Sequence, residues 1–229
     1  MKKRLLSSLL FFSVFAFGQN DSLPKKQNTA KYYITPTLFI GSGLFINTTK
    51  NNWSKQNLQQ TIQNKYATNT KVDDYLPYLP IVQMYGGKLM GIKSKNNYFN
   101  QTKNLFFSQL FTSLITHVIK RTANLNRPNG GKYAFPSGHT SSAFSSASTL
   151  FYEYKDSNLA YASSGFLFAG TTGALRITNN EHWVSDVLVG AGIALLVTHL
   201  VYHFEPLKKW IPFKNRKERR EHRQYVPVY

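Results

Sequence analysis

The helical spacing of apolar residues from Asp73 onward restricts the fold more than any other feature of this sequence. Apolar side chains recur there at three- and four-residue intervals, the period of an amphipathic helix, and strand-like alternation is scarce. The pattern predicts an all-α fold, a compact helical bundle. The predicted helices cover residues 74–92, 102–121, 138–154, 158–173 and 182–203.

The chain before this bundle is less regular. The stretch YYITPTLFIGSGLFI is apolar but broken by Pro36, Gly41 and Gly43, and it predicts either a short buried helix or an interfacial segment. A polar stretch follows and predicts a surface helix around residues 56–65. The chain is therefore divided into a signal peptide (1–18), an N-terminal extension with short helices (19–72), a helical domain (73–205) and a basic C-terminal tail (206–229).

The first residues, MKKRLLSSLLFFSVFAFGQN, have the pattern of a secretory signal peptide. Basic residues precede an apolar run over 5–17, and the small residues Ala16 and Gly18 precede a cleavage point before Gln19. An uncleaved membrane anchor is the alternative, but the run is short for a full span. We expect an exported protein that acts outside the cytoplasm, either periplasmic or membrane-associated.

The sequence leaves open whether the predicted helices enter a bilayer. VLVGAGIALLVTHLVYHF and LAYASSGFLFAGTTGAL approach spanning length and are rich in small residues that allow close helix packing. However, LFFSQLFTSLITHVIK contains Ser108, Gln109 and His117, and the mean hydropathy of the chain is negative. Buried helices of a soluble bundle look the same, and we expect a bundle lying at or partly in a membrane.

The net charge of +18 predicts an anionic partner. Residues 208–223 are dense in Lys and Arg, which indicates either a solvated tail or contact with anionic lipid headgroups. No nucleic-acid-binding motif accompanies this tail, so nucleic acid is not an expected partner. The chain has no cysteine, which excludes disulfides and thiolate metal sites.

Two short motifs contain groups suited to anion binding. In KRTANLNRP, Lys120 and Arg127 are either solvated charges or a clamp on one oxyanion. In PSGH, Ser137 is a natural helix N-cap, and the N–H groups of the first helical turn are free to bind an anion. Gly138 allows a ligand close to the backbone, and His139 is placed to supply a proton. Taken alone, PSGH predicts only a capped helix with an exposed histidine.

A third motif, LRITNNEHWVSD, opens the last long helix. Arg176 precedes His182, and the spacing of His182 and Asp186 puts both on one helix face. Such a pair is either an ordinary helical ion pair or a nucleophilic imidazole whose tautomer is fixed by the carboxylate.

Together, K-x6-R-P, P-S-G-H and R-x5-H-x3-D resemble the type 2 phosphatidic acid phosphatase family. Its superfamily also contains bacterial acid phosphatases and vanadium-dependent haloperoxidases. The resemblance implies a helical bundle and a metal-independent phosphatase without a cofactor. Leu175 departs from the pattern, because the family usually has Ser before the Arg at position 176.

The resemblance also implies roles. His182 attacks phosphorus and forms a phosphohistidine, Asp186 orients His182, and His139 protonates the leaving group. The phosphoryl oxygens are bound by Lys120, Arg127, Arg176, Ser137 and the Gly138 backbone.

The predicted function is therefore hydrolysis of a phosphomonoester or diphosphate outside the cytoplasm, with a phosphorylated lipid, an isoprenyl diphosphate or a soluble small molecule as substrate. The alternatives are a vanadium-dependent haloperoxidase and a catalytically silent protein that binds anions or lipids. Zinc binding by His139 and His182 lacks a third ligand at metal spacing. Trp183 either lines the leaving-group pocket or packs against the helix start.

Overall fold

The computed structural model describes residues 31–204, and these residues form α-helices and short 3₁₀ turns without a β-strand. The all-α prediction is confirmed. The predicted signal peptide and basic tail lie outside the described residues. The helices are α1 (Lys31–Thr48), α2 (Lys55–Tyr66), α3 (Leu79–Leu89), α4 (Tyr98–Ala123), α5 (Gly138–Tyr154), α6 (Leu159–Thr178) and α7 (Val184–Phe204).

The predicted helices correspond to α3–α7, and the largest differences are at the start of α3 and at the end of α6, which extends to Thr178 instead of residue 173. Two 3₁₀ turns, Val72–Asp74 and Leu76–Tyr78, precede α3, and Pro80 lies in its first turn. Proline lacks an N–H, so it fits a first turn and not a helix interior. The prediction that a helix begins at residue 74 was therefore wrong by about one turn.

Helix α5 is the centre of the bundle and contacts α3, α4, α6 and α7. Its inward positions carry small side chains, such as Ala143, Ala147 and Ser145, all fully buried. Small side chains let the neighbouring helices approach closely. The functional groups on α4, the α6–α7 connection and the start of α5 can therefore meet at one end of α5.

The described part of the N-terminal extension contains α1 and α2, and α1 packs along α7. The side chains of Ile34, Leu38 and Phe45 are more than half exposed. The stretch that predicted either a short buried helix or an interfacial segment is thus one helix, with one side packed and one apolar side exposed. The predicted surface helix is α2, and Gln59 and Gln63 donate hydrogen bonds to the Ile177 carbonyl at 3.0 and 2.8 Å.

Helix α4 is amphipathic in the reverse of the usual sense. Its buried positions are mostly polar and include Gln101, Asn104, Ser108, Thr112 and Thr116. Most of its exposed positions are apolar, and four of these repeat at the helical spacing of four. We call these the outer stripe of α4: Phe106, Leu110, Leu114 and Val118, which are 57%, 44%, 57% and 54% exposed. A surface helix in water has the opposite arrangement.

One helix in the described part of the chain, Val184–Phe204, is long and apolar enough to cross a membrane, with a hydropathy of 2.0. Within its most apolar window, 67% of the residues are buried inside the bundle, as in the core helix of a soluble protein. The composition of α7 therefore does not distinguish a membrane span from a core helix.

Candidate active site

A cavity of about 380 Å³ opens at the N-terminal end of α5. Its walls come from the 3₁₀ turns, the C-terminal half of α4, the loop after α4, the start of α5 and the loop before α7. The lining residues are Asp74, Pro77, Tyr78, Ser113, Thr116, His117, Lys120, Arg127, Gly138, His139, Ser141, Ser142 and His182.

Helices α5 and α7 are joined directly at this cavity. The Ser137 backbone N–H donates to the Asp186 carbonyl at 3.0 Å. Further along α7, a Cβ added at Gly190 would lie 2.7 Å from the Ser137 carbonyl oxygen. Any side chain at position 190 would force the two helices apart, so this glycine allows the second and third motifs to meet.

The start of α5 is built as an N-cap with open space in front of it. The Ser137 hydroxyl oxygen accepts hydrogen bonds from the Thr140 backbone N–H at 3.5 Å and the Thr140 hydroxyl at 2.9 Å. A Cβ added at Gly138 would meet no heavy atom within 4 Å. An anion can therefore approach the backbone N–H groups of the first turn, which have no partner within the helix.

His182 and Asp186 form a buried pair beside this N-terminus. His182 Nδ1 lies 3.3 Å from Asp186 Oδ2, and each side chain is 1% exposed. Asp186 also accepts a hydrogen bond from the Trp183 backbone N–H at 3.0 Å, which caps the start of α7. Because Nδ1 faces the carboxylate, Nε2 is the ring nitrogen that can react with another molecule.

Burial lowers the pKa of His182 to about 4, against the opposing effect of Asp186. Lys120 and Arg176 lower the pKa further because a second positive charge nearby is unfavourable. His182 is therefore neutral at neutral pH, the state in which an imidazole has a lone pair for nucleophilic attack.

Lys120 is a cation at the wall of the cavity. Its ammonium group donates to the Tyr133 carbonyl at 2.7 Å. Burial, followed by repulsion from Arg127, lowers its pKa to about 8. Lys120 is still largely protonated at neutral pH and has donors left for a second acceptor.

Arg127 and Arg176 meet at the carboxylate of Glu181. Both guanidinium groups contact Glu181 Oε2, and Arg176 Nη2 does so at 3.3 Å. The Nε atoms of the two arginines are buried and have no hydrogen-bond partner among the described residues. Unpaired buried guanidinium donors are costly unless an anion accepts from them, which supports an oxyanion site here.

Three acidic residues of the site were not found from the sequence: Asp73, Asp74 and Glu181. Asp73 is buried and accepts from Arg176 Nη1 at 2.7 Å. Asp74 Oδ1 lies 3.1 Å from His139 Nε2. No local pattern marks the two aspartates, because they precede the motifs and reach them only through chain folding. Glu181 is adjacent to His182, but its role depends on Arg127, which lies 54 positions away in the chain.

Trp183 is not among the residues that line the cavity. Its indole N–H donates to the Asn126 carbonyl at 2.8 Å, which links the loop carrying Arg127 to the start of α7. Leu175 is also absent from the lining. His117 is exposed and lines the cavity.

The predicted site residues thus lie around one end of α5, although they come from three separate motifs. Three cations and a helix N-terminus are suited to bind a tetrahedral oxyanion, and a neutral imidazole lies beside them. In residues 31–204, no three His, Asp or Glu side chains are grouped so as to hold a metal ion.

Parts of this chain are similar in sequence or in fold to known proteins. A lipid A 1-phosphatase of Porphyromonas gingivalis is 32% identical over 143 residues, which cover 61% of this chain. The chain covers about a third (32%) of that relative's length. The crystal structure of Aquifex aeolicus LpxE shares the fold, with a TM-score of 0.50 and 20% identity over 65% of this chain and 94% of that one. The PAP2 superfamily model matches residues 129–210, which contain the second and third motifs. The motifs, the fold and the sequence similarity thus agree in placing the likeness of this chain with the PAP2 superfamily, over residues 129–210.

Proposed function

We propose that this protein is a phosphatase that removes phosphate from a phosphorylated lipid through a phosphohistidine at His182. The observation that carries the proposal is the convergence on one cavity of a neutral, buried His182, the cations Lys120 and Arg127, and the N-terminus of α5. Phosphoryl transfer depends mainly on positioning and on stabilising negative charge, and this cavity supplies both.

In the first step, His182 Nε2 attacks phosphorus and a P–N bond forms as the bond to the leaving oxygen breaks. His139 gives a proton to that oxygen, and an alcohol leaves. Asp186 stabilises the positive charge that develops on the His182 ring, since its carboxylate faces Nδ1. Arg127, Arg176 and the first turn of α5 bind the phosphoryl oxygens.

In the second step, neutral His139 accepts a proton from a water molecule. The oxygen of that water attacks phosphorus, the P–N bond breaks, and inorganic phosphate leaves. His182 returns to its neutral form, and His139 again carries the proton that the next cycle requires.

A lipid substrate is supported by the surface of α4. The outer stripe runs along this helix toward Lys120, at the wall of the cavity. An exposed apolar stripe opposite a polar buried face suits contact with hydrocarbon better than contact with water. The protein is therefore membrane-associated, with the outer stripe in the apolar layer and the phosphate group entering the cavity.

The walls of the cavity favour a polar leaving group. Tyr78, Ser113 and Ser142 bring hydroxyl groups to the lining, and His117 adds an imidazole. Hydroxyl-rich walls suit a sugar better than an isoprenyl chain, because buried polar groups need hydrogen-bond partners. A glycolipid phosphate of the lipid A type fits this wall and agrees with the activity named for the Porphyromonas gingivalis relative.

A substrate panel tests this proposal. Purified protein in mixed micelles is assayed for inorganic phosphate release from lipid A 1-phosphate, phosphatidic acid, an isoprenyl diphosphate and p-nitrophenyl phosphate. We expect the glycolipid to have the highest kcat/KM, and a base-stable, acid-labile phosphoenzyme after rapid quenching. Equal kcat/KM for all substrates would overturn the glycolipid assignment, and an acid-stable phosphoenzyme would overturn the role of His182.

The active site is proposed to face the outside of the cytoplasm, on the basis of the signal-peptide pattern at residues 1–18. Residues 208–223 are proposed to bind anionic headgroups. Fractionation and mass analysis test the first point: the protein is expected in the cell envelope, without residues 1–18. Vesicle binding tests the second point: removing the tail is expected to weaken binding to anionic vesicles at low salt. A cytoplasmic, full-length protein would contradict the first point.

A further inference from the structure

Asp74 contacts the histidine that the proposed mechanism uses as its general acid. Its Oδ1 atom lies 3.1 Å from His139 Nε2, and the two side chains are 49% and 40% exposed. Asp74 belongs to the 3₁₀ turn Val72–Asp74, outside the three motifs and outside residues 129–210. The contact therefore joins the turn before α3 to the catalytic helix α5.

The fold fixes the position of this turn. Asp73, the preceding residue, is fully buried and accepts hydrogen bonds from Arg176 at 2.7 Å and from the Asn179 side-chain amide at 3.0 Å. The same amide donates to the Thr70 carbonyl at 2.8 Å. The turn is thus tied to the C-terminal end of α6 on both sides, and Asp74 is aimed at His139 by bonds made by its neighbours.

The charges around His139 oppose one another. Burial lowers the pKa of His139, and Arg176 lowers it further. Asp74 and Asp73 act in the opposite direction. Lys120, Arg127, His117 and His182 line the same cavity. Among all these groups, Asp74 is the carboxylate in hydrogen-bonding contact with the imidazole.

We propose that Asp74 is the positioning residue of the general acid, and that it holds His139 with Nε2–H directed at its carboxylate. Nδ1 is then the nitrogen that carries the transferable proton. The arrangement repeats that of Asp186 and His182, in which a carboxylate engages one ring nitrogen and leaves the other to react. The inference rests on the proposed phosphatase function.

The proton balance follows from this geometry. Doubly protonated His139 donates its Nδ1 proton to the leaving oxygen as the P–O bond breaks, and Nε2–H stays bonded to Asp74. The imidazole is then neutral, and Nδ1 accepts a proton from the water that attacks the phosphohistidine. Asp74 remains a carboxylate throughout and stabilises the protonated ring before each transfer.

The test compares Asp74→Asn with wild type on two substrates. A lipid phosphate has an alcohol leaving group that needs a proton, and p-nitrophenyl phosphate has a phenolate leaving group that does not. We expect kcat on the lipid to fall about tenfold to a hundredfold, a part of the roughly 10²–10⁴-fold that the general acid itself contributes. On p-nitrophenyl phosphate, kcat should stay within about threefold of wild type. Asp74→Glu should restore part of the activity on the lipid.

The pH profile gives a second readout that a purely structural role would not move. Removing the carboxylate lowers the pKa of His139, so the alkaline limb of kcat/KM for the lipid should shift to lower pH. The matched control is Asp156→Asn, because Asp156 is exposed and distant in sequence from the motifs. That variant should leave both the profile and the two kcat values unchanged.

Several outcomes would overturn the inference. Equal loss on both substrates would make Asp74 a structural residue, as would an unshifted alkaline limb. The variant His139→Ala separates this failure from failure of the proposed function. If His139→Ala shows the leaving-group dependence and Asp74→Asn resembles wild type, only the role of Asp74 is wrong. If His139→Ala shows no leaving-group dependence, the proposed mechanism itself fails.

Discussion

The cavity contains two histidine–carboxylate pairs that differ in burial and in origin. His182 lies in the loop directly before α7 and Asp186 in the first turn of that helix, and each side chain is 1% exposed. His139 and Asp74 come from separate elements, and their side chains are 40% and 49% exposed. The same two residue types therefore occupy a dry and a wetter environment within one site.

The difference explains how two imidazoles can have opposite tasks. Full burial favours the neutral ring, so His182 is available as a nucleophile. Partial exposure beside a carboxylate allows the protonated ring, so His139 can act as an acid. Environment rather than residue type assigns the two roles, as in other sites that separate an acid from a base. The predictions below test this assignment.

The largest expected effect is that of removing the buried ring. His182→Ala should lower kcat by at least roughly 10⁴-fold on every substrate, because no group remains to form the covalent intermediate. Phosphate release and phosphoenzyme trapping measure the effect. His203→Ala, at the other end of α7, is the matched control and should behave like wild type. Substantial turnover by His182→Ala would contradict the assignment of His182 as the nucleophile.

Removing the exposed ring should have a smaller effect that depends on the substrate. His139→Ala should lower kcat about 10³-fold on a lipid phosphate, since a positioned general acid contributes about 10²–10⁴-fold. On p-nitrophenyl phosphate the rate of phosphoenzyme formation should fall by less than about tenfold, because its leaving group needs no proton. Rapid-quench measurement of phosphoenzyme formation on both substrates gives the ratio. Identical losses would mean that the two histidines do not have separate roles.

The pH dependence of kcat/KM should show that losing a proton has opposite effects on activity at the two rings. Activity should rise as His182 loses its proton near a pKa of about 4. It should fall as His139 loses its proton, at a pKa below the usual histidine value of 6.5. Loss of charge on Lys120, near a pKa of about 8, should weaken phosphate binding further. Each limb should change activity by up to about tenfold per pH unit, and an optimum above pH 8 would contradict the assignment.

The smallest effect should come from the outer stripe of α4. Leu114→Lys places a charge on the exposed apolar face, so kcat/KM on vesicle-bound lipid should fall by about threefold to tenfold. Turnover of soluble p-nitrophenyl phosphate needs only the cavity and its two histidine–carboxylate pairs, so its kcat/KM should not change. Lys103→Leu on the same helix is the reverse control and should not impair lipid turnover. Equal effects on both substrates would indicate damage to the site instead of to membrane contact.

Much of this protein could be predicted from the sequence because its determinants are local. The helical period that predicted α4 to α7 is a property of neighbouring residues. The His182–Asp186 contact joins residues four positions apart, although α7 begins at Val184 and not at residue 182 as predicted. Ser137 caps α5 because a cap is formed within a few residues. The order of the three motifs carried the family resemblance, which predicted that Lys120, Arg127 and Arg176 act at one site.

Only the tertiary structure decided the groups that modulate this chemistry. Asp74 reaches His139, Asp73 reaches Arg176, and Glu181 joins two arginines, all through contacts between separate elements. The reverse amphipathicity of α4 also became apparent only when its neighbours showed which face is buried. A pattern of residues gives the period of a helix but not the direction of its inner face. How the helices pack sets that direction. The same packing brings Asp74 to His139, the proposed general acid.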